Sequence, residues 1–216
     1  MALDSKLLQK ARRVLSVVDE HGTTGTRLNE DARRLWLRTQ RFIKLDLLGP
    51  DSQLDTLELA CIALQLPMRQ IKSLPTGKLG RTNLKDRTEQ AAELLVTLLS
   101  DDVDESLLDR TTRVLHESPH RSPMLDEARL LADVLNLDDF GATGLIIQTI
   151  QQARAGEGLM QVAAGCEKRD QYGYWEARLK DGFHFEPVRQ MARRRLENSR
   201  AVARLLYMEI KEDDLS

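Results

Sequence analysis

Several features that mark particular protein classes are scarce or missing in this 216-residue chain. Its only cysteines, Cys61 and Cys166, form no CxxC pair, and Cys61 lies in an apolar run where we expect a buried, reduced thiol. No apolar run reaches the roughly 18 residues that a membrane-spanning helix requires. The formal charge is −2, so no global field attracts nucleic acid or membranes. Without a secretion signal pattern at the start, we expect a soluble, cytoplasmic protein.

Aromatic residues are also rare, at 4% of the chain, so the core must consist mainly of Leu, Val, Ile and Ala. Hydrophobic residues at 41% and charged residues at 31% exclude wholesale disorder. Leucine-rich sequence with charged faces favours helices over sheets, and we find no strand pattern and no internal repeat. The composition therefore predicts an all-α protein. We expect a single domain over residues 1–216, with a core at about 28–150 and a helical extension at about 159–212.

Apolar residues at helical spacing place the helices along the chain. Asn29 or Asp31 is expected to cap the second helix. Residues 67–83 read as a loop, and residues 159–185 look less regular than the rest. The predicted helices cover residues 3–20, 29–48, 52–66, 84–100, 104–118, a segment that begins at 125, 144–152 and 187–211.

The stretch Glu127–Gly144, EARLLADVLNLDDFGATG, is the most informative part of the chain. Ala128, Leu131 and Leu135 share one face of an amphipathic helix, which polar residues and glycine then interrupt. The pattern resembles the aspartate motif of the HD-domain phosphohydrolases. In their small, stand-alone bacterial branch this motif reads approximately E-A-K-I-L-Q-D-A-D-R-L-D-A-L-G-A-I-G. The matching positions are Glu127, Ala128, Asp133, Leu137, Asp138, Gly141, Ala142 and Gly144.

Two further stretches extend this resemblance to roughly residues 28–210. Asp55–Leu66, DTLELACIALQL, is similar to the family helix v-L-E-L-A-A-L-L-H-D-I. Pro187–Ile210 looks like the closing arginine-rich helix of the branch. The resemblance implies an HD-like helical bundle with a long C-terminal helix.

HD enzymes hold a divalent cation with an early His, a His-Asp pair and a later Asp, and such ligands suit a hard, phosphate-bound cation. In this chain those positions fall on Leu35, Leu64, Gln65 and Leu135. None of the four histidines lies between residues 22 and 115. The resemblance therefore implies a degenerate member in which apolar side chains fill the former metal site. We expect no cofactor, and a divalent cation such as Mn²⁺ or Mg²⁺ is the alternative.

A residual polar site is one interpretation of His116, His120 and Asp133. These side chains would then hold a metal ion or a phosphate away from the family's own position. The alternative is structural. His116 would pack at a helix end, where a cation is favoured, His120 would lie in a solvated turn, and Asp133 would be a helix-face or capping acid.

Other segments carry candidate anion contacts. Ser73–Arg81, SLPTGKLGR, offers Lys78 and Arg81 to an anion. It lacks the spacing of a phosphate loop, and the alternative interpretation is a surface loop. The aromatic residues at 172–185 either cover a ligand or pack against the helices. The last helix contains arginines that either bind RNA or phosphate or form a solvated face with local ion pairs. They are Arg189, Arg193, Arg194, Arg195, Arg200 and Arg204.

Three classes of function follow from these observations. The first is a degenerate HD-domain protein that is inactive as a metal-dependent phosphohydrolase and binds a nucleotide-like small molecule or a protein. The second is an active phosphohydrolase with an altered metal site. The third is a nucleic-acid-associated protein that uses the arginine-rich helix, although the charge balance gives no reason to expect nucleic acid as the partner. We expect no membrane partner, and assembly into a homo-oligomer is an open alternative.

Restoring the family's ligands tests the degenerate-site hypothesis. In a variant with Leu64→His, Gln65→Asp, Leu135→Asp and a histidine near Leu35, each new buried polar group without a cation should cost about 1–3 kcal/mol. A cation bound only by the folded chain should return part of that stability. Thermal melts with and without Mn²⁺ should therefore show rescue of the variant and none of the parent. Equal melting shifts in both proteins would mean that these positions do not converge on a site.

Overall fold

Most of the chain is helical in the computed structural model, which describes residues 3–18, 24–73 and 84–213. The prediction of an all-α protein with a long C-terminal helix is confirmed. None of the helices within these ranges combines the length and the apolar character needed to cross a membrane. The helices are α1 (Ser5–Leu15), α2 (Arg27–Ile43), α3 (Leu54–Ala63), α4 (Leu84–Leu99), α5 (Glu105–Glu117), α6 (Asp126–Asn136), α7 (Gly141–Arg154), α8 (Leu159–Gln171), α9 (Tyr174–Asp181) and α10 (Glu186–Lys211).

Shorter elements join these helices. Three 3-10 segments lie at Leu66–Ser73, Ser100–Asp102 and Leu137–Asp139. A minimal antiparallel ladder pairs β1 (Val17–Val18) with β2 (Thr24–Gly25). The predicted first helix over residues 3–20 was therefore too long. It ends at Leu15 because Ser16 turns to an extended conformation and the following pair of valines favours a strand.

Two further expectations were wrong. Asn29 does not cap α2, which begins at Arg27. Its amide instead donates hydrogen bonds to the Arg12 carbonyl (3.1 Å) and the Ser16 hydroxyl (3.3 Å). The segment 159–185, which looked irregular, contains both α8 and α9. Gly173 separates these two helices at φ +63°, a left-handed conformation that glycine adopts without strain.

The chain divides into two compact units, and the boundary falls within α6, between Ala132 and Asp133. The described residues up to Ala132 belong to the first unit, and those from Asp133 onward belong to the second. The prediction of a single domain stays a prediction.

In the first unit, α3 is the central helix. Its sequence, LDTLELACIA, is apolar on nearly every side, which is typical of a helix buried all round. Every residue from Thr56 to Ala63 is buried, and α2, α4 and α5 pack against it. Cys61 is fully buried beside the Thr39 hydroxyl (3.7 Å), and burial raises the pKa of its thiol to about 12. The expectation that Cys61 is buried is confirmed, and its thiol forms no disulfide in the structure.

In the second unit, α10 is the central helix. Val188, Ala192 and Leu196 recur every four residues along one face and are buried where α7, α8 and α9 pack. Two glycines permit close packing around α7. Gly141 has φ +83°, and a Cβ there would lie 3.2 Å from the Arg195 side chain. A Cβ at Gly144 would collide with the backbone carbonyl of Asp139.

A buried carboxylate in the first unit holds three helices together. The Glu127 side chain on α6 is 1% exposed, and its Oε1 accepts the backbone N–H of Gln53 (2.8 Å), the residue that precedes α3. The same oxygen accepts from Nη2 (2.7 Å) and Nε (3.1 Å) of Arg110 on α5. A buried charge is tolerated only when it is paired and hydrogen-bonded, and here both conditions are met.

Removing this carboxylate should destabilise the first unit strongly. Glu127→Ala leaves the Gln53 N–H without its acceptor and Arg110 with only the Asp51 carbonyl, and we expect a loss of about 3 kcal/mol. Glu93→Ala, at an exposed position on α4, is the matched control and should change stability by less than about 0.5 kcal/mol. Urea denaturation of both variants measures the difference. Equal stabilities would show that the Glu127 interactions contribute nothing to the fold.

Candidate functional site

Three of the four positions that the resemblance assigns to metal ligands are buried. Leu35 on α2 and Leu64 at the end of α3 are buried in the first unit, and Gln65 beside them is buried too. The Leu64 carbonyl accepts two hydrogen bonds from the Arg87 guanidinium (3.2 and 3.1 Å), which satisfies the end of α3. Leu135, in the second unit, is half-buried.

The predicted residual polar site has two exposed members. His116 lies in the last turn of α5, and His120 lies just beyond it, and both side chains are exposed. Lys78 and Arg81, the candidate anion contacts of the Ser73–Arg81 stretch, fall outside the described residues. Within residues 3–18, 24–73 and 84–213, no three His, Cys, Asp or Glu side chains are grouped closely enough to hold a metal ion.

Asp133 caps a helix. Its side chain is fully buried in the second unit, and its two carboxylate oxygens accept the backbone N–H groups of His184 (2.7 Å) and Phe185 (2.9 Å). These donors immediately precede α10, whose N-terminus attracts negative charge. The capping role that the sequence offered as one alternative is thus the role that this geometry gives to Asp133.

Burial acts against the charge on this cap. Desolvation raises the pKa of Asp133 to about 7, although the hydrogen bonds from His184 and Phe185 and the nearby Arg189 cation all lower it. The protonation state of the cap therefore changes near neutral pH.

Side chains also fix the turn between α9 and α10. The Asn136 amide donates to the Gly182 carbonyl (2.6 Å), and Nη2 of Arg189 donates to the Phe183 carbonyl (2.6 Å). Arg178 on α9 donates to the Asp139 carboxylate (2.6 Å) and to the side-chain oxygen Oδ1 of Asn136 (3.0 Å). These contacts hold the end of α9 and the first turns of α10 in a defined geometry.

The same two helices line a candidate binding site, a groove of about 630 Å³ that we call the α9–α10 groove. Its volume lies in the range typical of small-molecule sites. Two buried leucines, Leu179 and Leu196, contribute apolar surface. Its charged lining residues are Glu176, Lys180, Arg189, Arg193, Glu197 and Arg200.

The cations of the groove differ in how far they are already neutralised. Arg200 pairs with Asp170 (2.7 Å) and Glu176 (2.8 Å), and its hydrogen bond to Glu176 lowers the pKa of that carboxyl. Arg189 pairs with Glu186, and its buried Nε has no acceptor among the described residues. Lys180 and Arg193 are exposed and have no hydrogen-bond or ion-pair partner in the described part of the chain. The groove thus presents two cations without a partner, Lys180 and Arg193, and one carboxylate without a partner, Glu197.

A smaller cavity lies beside the groove and shares Arg200 with it. It encloses about 30 Å³ between α7, α8, α9 and α10, with Cys166 and Trp175 among its lining residues. A water molecule requires about 10–15 Å³ of such space, so this cavity holds water at most and no substrate.

The aromatic residues of 172–185 contribute mainly to packing. Phe140 contacts Trp175 (centroid distance 5.1 Å) and Phe183 (5.4 Å) in tilted geometries, and Phe140 and Phe183 are buried. Tyr174 meets Trp175 edge to face at 5.0 Å. Tyr172 is different, because 82% of it is exposed. The aromatic contacts that the structure describes in this segment agree with the packing interpretation.

The sequence analysis named the arginines of α10 but did not name the α9 residues that line the groove with them. Lys180 and Glu176 lie four residues apart on α9, the helix that was not predicted. The signal was present, because glycines at 173 and 182 bracket a segment rich in helix-forming residues.

Comparison with known proteins adds no further evidence, since no family model, curated protein or solved structure matches the chain. The HD resemblance therefore rests on the matched residues alone.

The Asp133 cap generates a pH-dependence prediction. Its folded pKa of about 7 lies above the unfolded value of about 3.9, so the folded chain binds one proton more between those pH values. The free energy of unfolding should therefore fall as pH rises through this window, by at most about 1.4 kcal/mol per pH unit. Asp133→Asn cannot titrate and should lose this component.

Urea denaturation across the window measures the effect as the difference in slope between parent and variant. Asp109→Asn, at an exposed position on α5, is the control and should keep the parental pH dependence. If Asp133→Asn keeps the parental slope, the buried cap does not take up a proton.

Proposed function

We propose that this chain is a non-catalytic, cytoplasmic binding module of HD-like type that holds an anionic small molecule in the α9–α10 groove. One observation carries the proposal: Lys180 and Arg193 line a single groove from two helices, and neither cation has a hydrogen-bond or ion-pair partner within the described residues. Unneutralised cations in a concave site attract anions, and the apolar surface of Leu179 and Leu196 adds contact area for the rest of the ligand.

The chemistry of the lining supports binding in preference to catalysis. A guanidinium group stays protonated at all accessible pH values, so Arg193 and Arg200 bind and orient an anion but do not exchange a proton with it. The Glu176 carboxylate is already committed to Arg200. The buried acids in the HD-like motif, Glu127 and Asp133, are likewise engaged in structural hydrogen bonds.

The fixed turn between α9 and α10 supports the proposal further. Binding costs less free energy when the site is already ordered, because fewer groups lose conformational freedom on association. The hydrogen bonds from Asn136, Arg178 and Arg189 order the helix ends that carry the groove before any ligand arrives.

Substitution of the two unneutralised cations tests the proposal. Inorganic phosphate, sulfate, malate and citrate are titrated against the parent by calorimetry at low salt, and the tightest binder is carried forward. Arg193→Gln should weaken its binding about tenfold and Lys180→Gln about fivefold, as expected for the loss of one charge-assisted contact.

Arg194→Gln provides a matched control on the same helix. Arg194 is adjacent in sequence and exposed but does not line the groove, so this variant should bind within about twofold of the parent. If all three variants bind alike, or if no anion binds the parent, the groove is not the site. Release of product from a phosphate ester by the parent would contradict the non-catalytic assignment.

A further inference from the structure

We infer that two copies of this chain associate through the C-terminal half of α10, with the two helices antiparallel about a two-fold axis. The two halves of α10 differ in burial. Its buried side chains, Val188, Ala192 and Leu196, all lie in the first half. The structure describes every residue from 197 to 211, and none of them is buried. The second half of this long helix therefore has surface left for a partner.

An apolar face runs along this half of the helix. Ala201, Val202, Leu205 and Met208 are all exposed, and Leu205 is 58% exposed. Asn198, Ala201, Leu205 and Met208 follow one another at intervals of three, four and three residues, which is the spacing of a coiled-coil seam. We call these four residues the α10 seam. Contiguous exposed apolar residues are typical of protein interfaces.

The charges at the two ends of the seam identify its occupant. Arg194 occupies the next seam position before Asn198, and Glu212, the residue that caps α10, occupies the next one after Met208. Both side chains are exposed, and neither has a hydrogen-bond or ion-pair partner in the described part of the chain. A face with a cation at one end and an acid at the other is complementary to its own antiparallel copy.

One antiparallel register satisfies both packing and charge. It places Ala201 of one copy against Leu205 of the other, and the two-fold axis repeats this contact. A small residue then faces a large one in each central layer, which allows the helices to approach closely. The same register places Arg194 of each copy against Glu212 of the other.

The charges that flank the seam agree on balance with this register. Glu197 of one copy faces Lys211 of the other, again twice, and these are opposite charges. Arg204 lies beside the axis and faces Arg204 of the second copy, which is repulsive. Opposite-charge contacts therefore outnumber the single like-charge contact.

Parallel pairing is disfavoured by the same residues. It would place Arg194 against Arg194 and Glu212 against Glu212 within the seam, where like charges repel. Its only opposite-charge contact would join Arg204 to Glu209. The antiparallel arrangement is also closed by its two-fold axis, so it produces a dimer and not a filament.

The first test measures association of the full chain. Sedimentation velocity at low salt, from about 1 to 500 µM, should show a monomer–dimer equilibrium. The seam is short, so we expect a dissociation constant in the micromolar range. Leu205→Glu should weaken association at least about tenfold, because it places a carboxylate between the helices. Ile146→Glu replaces an equally exposed apolar residue on α7 and should keep the parental dissociation constant within about twofold.

The second test exchanges the charges at the ends of the seam. Arg194→Glu alone and Glu212→Arg alone each place like charges together at both ends, so each should weaken association about fivefold. Both substitutions in one chain restore the opposite charges and should return the dissociation constant to within about twofold of the parent. In a parallel dimer the single substitutions would leave like charges facing each other, and neither would weaken association.

A mixture of the two single variants tests whether the contact joins separate chains. Each Arg194→Glu chain meets opposite charges at both ends only on a Glu212→Arg chain, so the mixture should associate more tightly than either variant alone. The substituted side chains are all exposed, and circular dichroism melts verify that each variant is folded.

Each outcome decides for or against the inference. A parent that stays monomeric at about 500 µM overturns it, since that is weaker than a specific interface. Association that Ile146→Glu weakens and Leu205→Glu does not would move the interface to α7. Single charge variants that associate like the parent would exclude the antiparallel register. None of the seam residues lines the α9–α10 groove, so the proposed function and the dimer stand or fall separately.

Discussion

The rest of the structure depends on one constraint: two buried carboxylates on α6 must each be hydrogen-bonded. Glu127 and Asp133 lie six residues apart in the sequence, one in each compact unit, and both are removed from solvent. Each must find donors, because an unpaired buried carboxylate costs more than the fold can supply. Glu127 takes the donors of Arg110 and of the N-terminus of α3, and Asp133 takes the two N–H groups that open α10. The two acids thereby determine how the helices of their own units begin and meet.

Much of the fold follows from the sequence because local patterns decide it. The apolar run around Cys61 predicts a helix buried all round, and the structure places α3 at the centre of its unit. The failures occurred where the pattern is weak. The segment 159–185 has little amphipathic regularity, so α8 and α9 were missed, and tertiary packing against α10 stabilises them instead. The glycines of the motif carry structural meaning, since Gly141 has a left-handed φ and Gly144 leaves no space for a side chain.

The candidate site was only partly predictable, for a different reason. The arginines of α10 are visible in the sequence, but which of them remain unneutralised depends on acids brought close by folding. Asp170 and Glu176 lie on α8 and α9, and both pair with Arg200. These two acids are far from Arg200 in the sequence, so residue spacing does not predict the ion pairs. Arg193 stands out only after these pairs are known, and Lys180 only after α9 is recognised as a helix. The ion pairs formed on folding, and not the number of arginines, distinguish Lys180 and Arg193 from the other cations of the groove.

The central proposal is that a ligand binds in the α9–α10 groove and not at the positions that the HD resemblance assigns to metal ligands. Hydrogen–deuterium exchange mass spectrometry with and without the tightest-binding anion of the calorimetric titration tests this proposal most directly, because it locates binding along the whole chain. The account predicts slower exchange in α9 and in the first half of α10, with the end of α3 and the α5–α6 segment unchanged. Slower exchange around Leu64 and His116, with α9 and α10 unaffected, would contradict it.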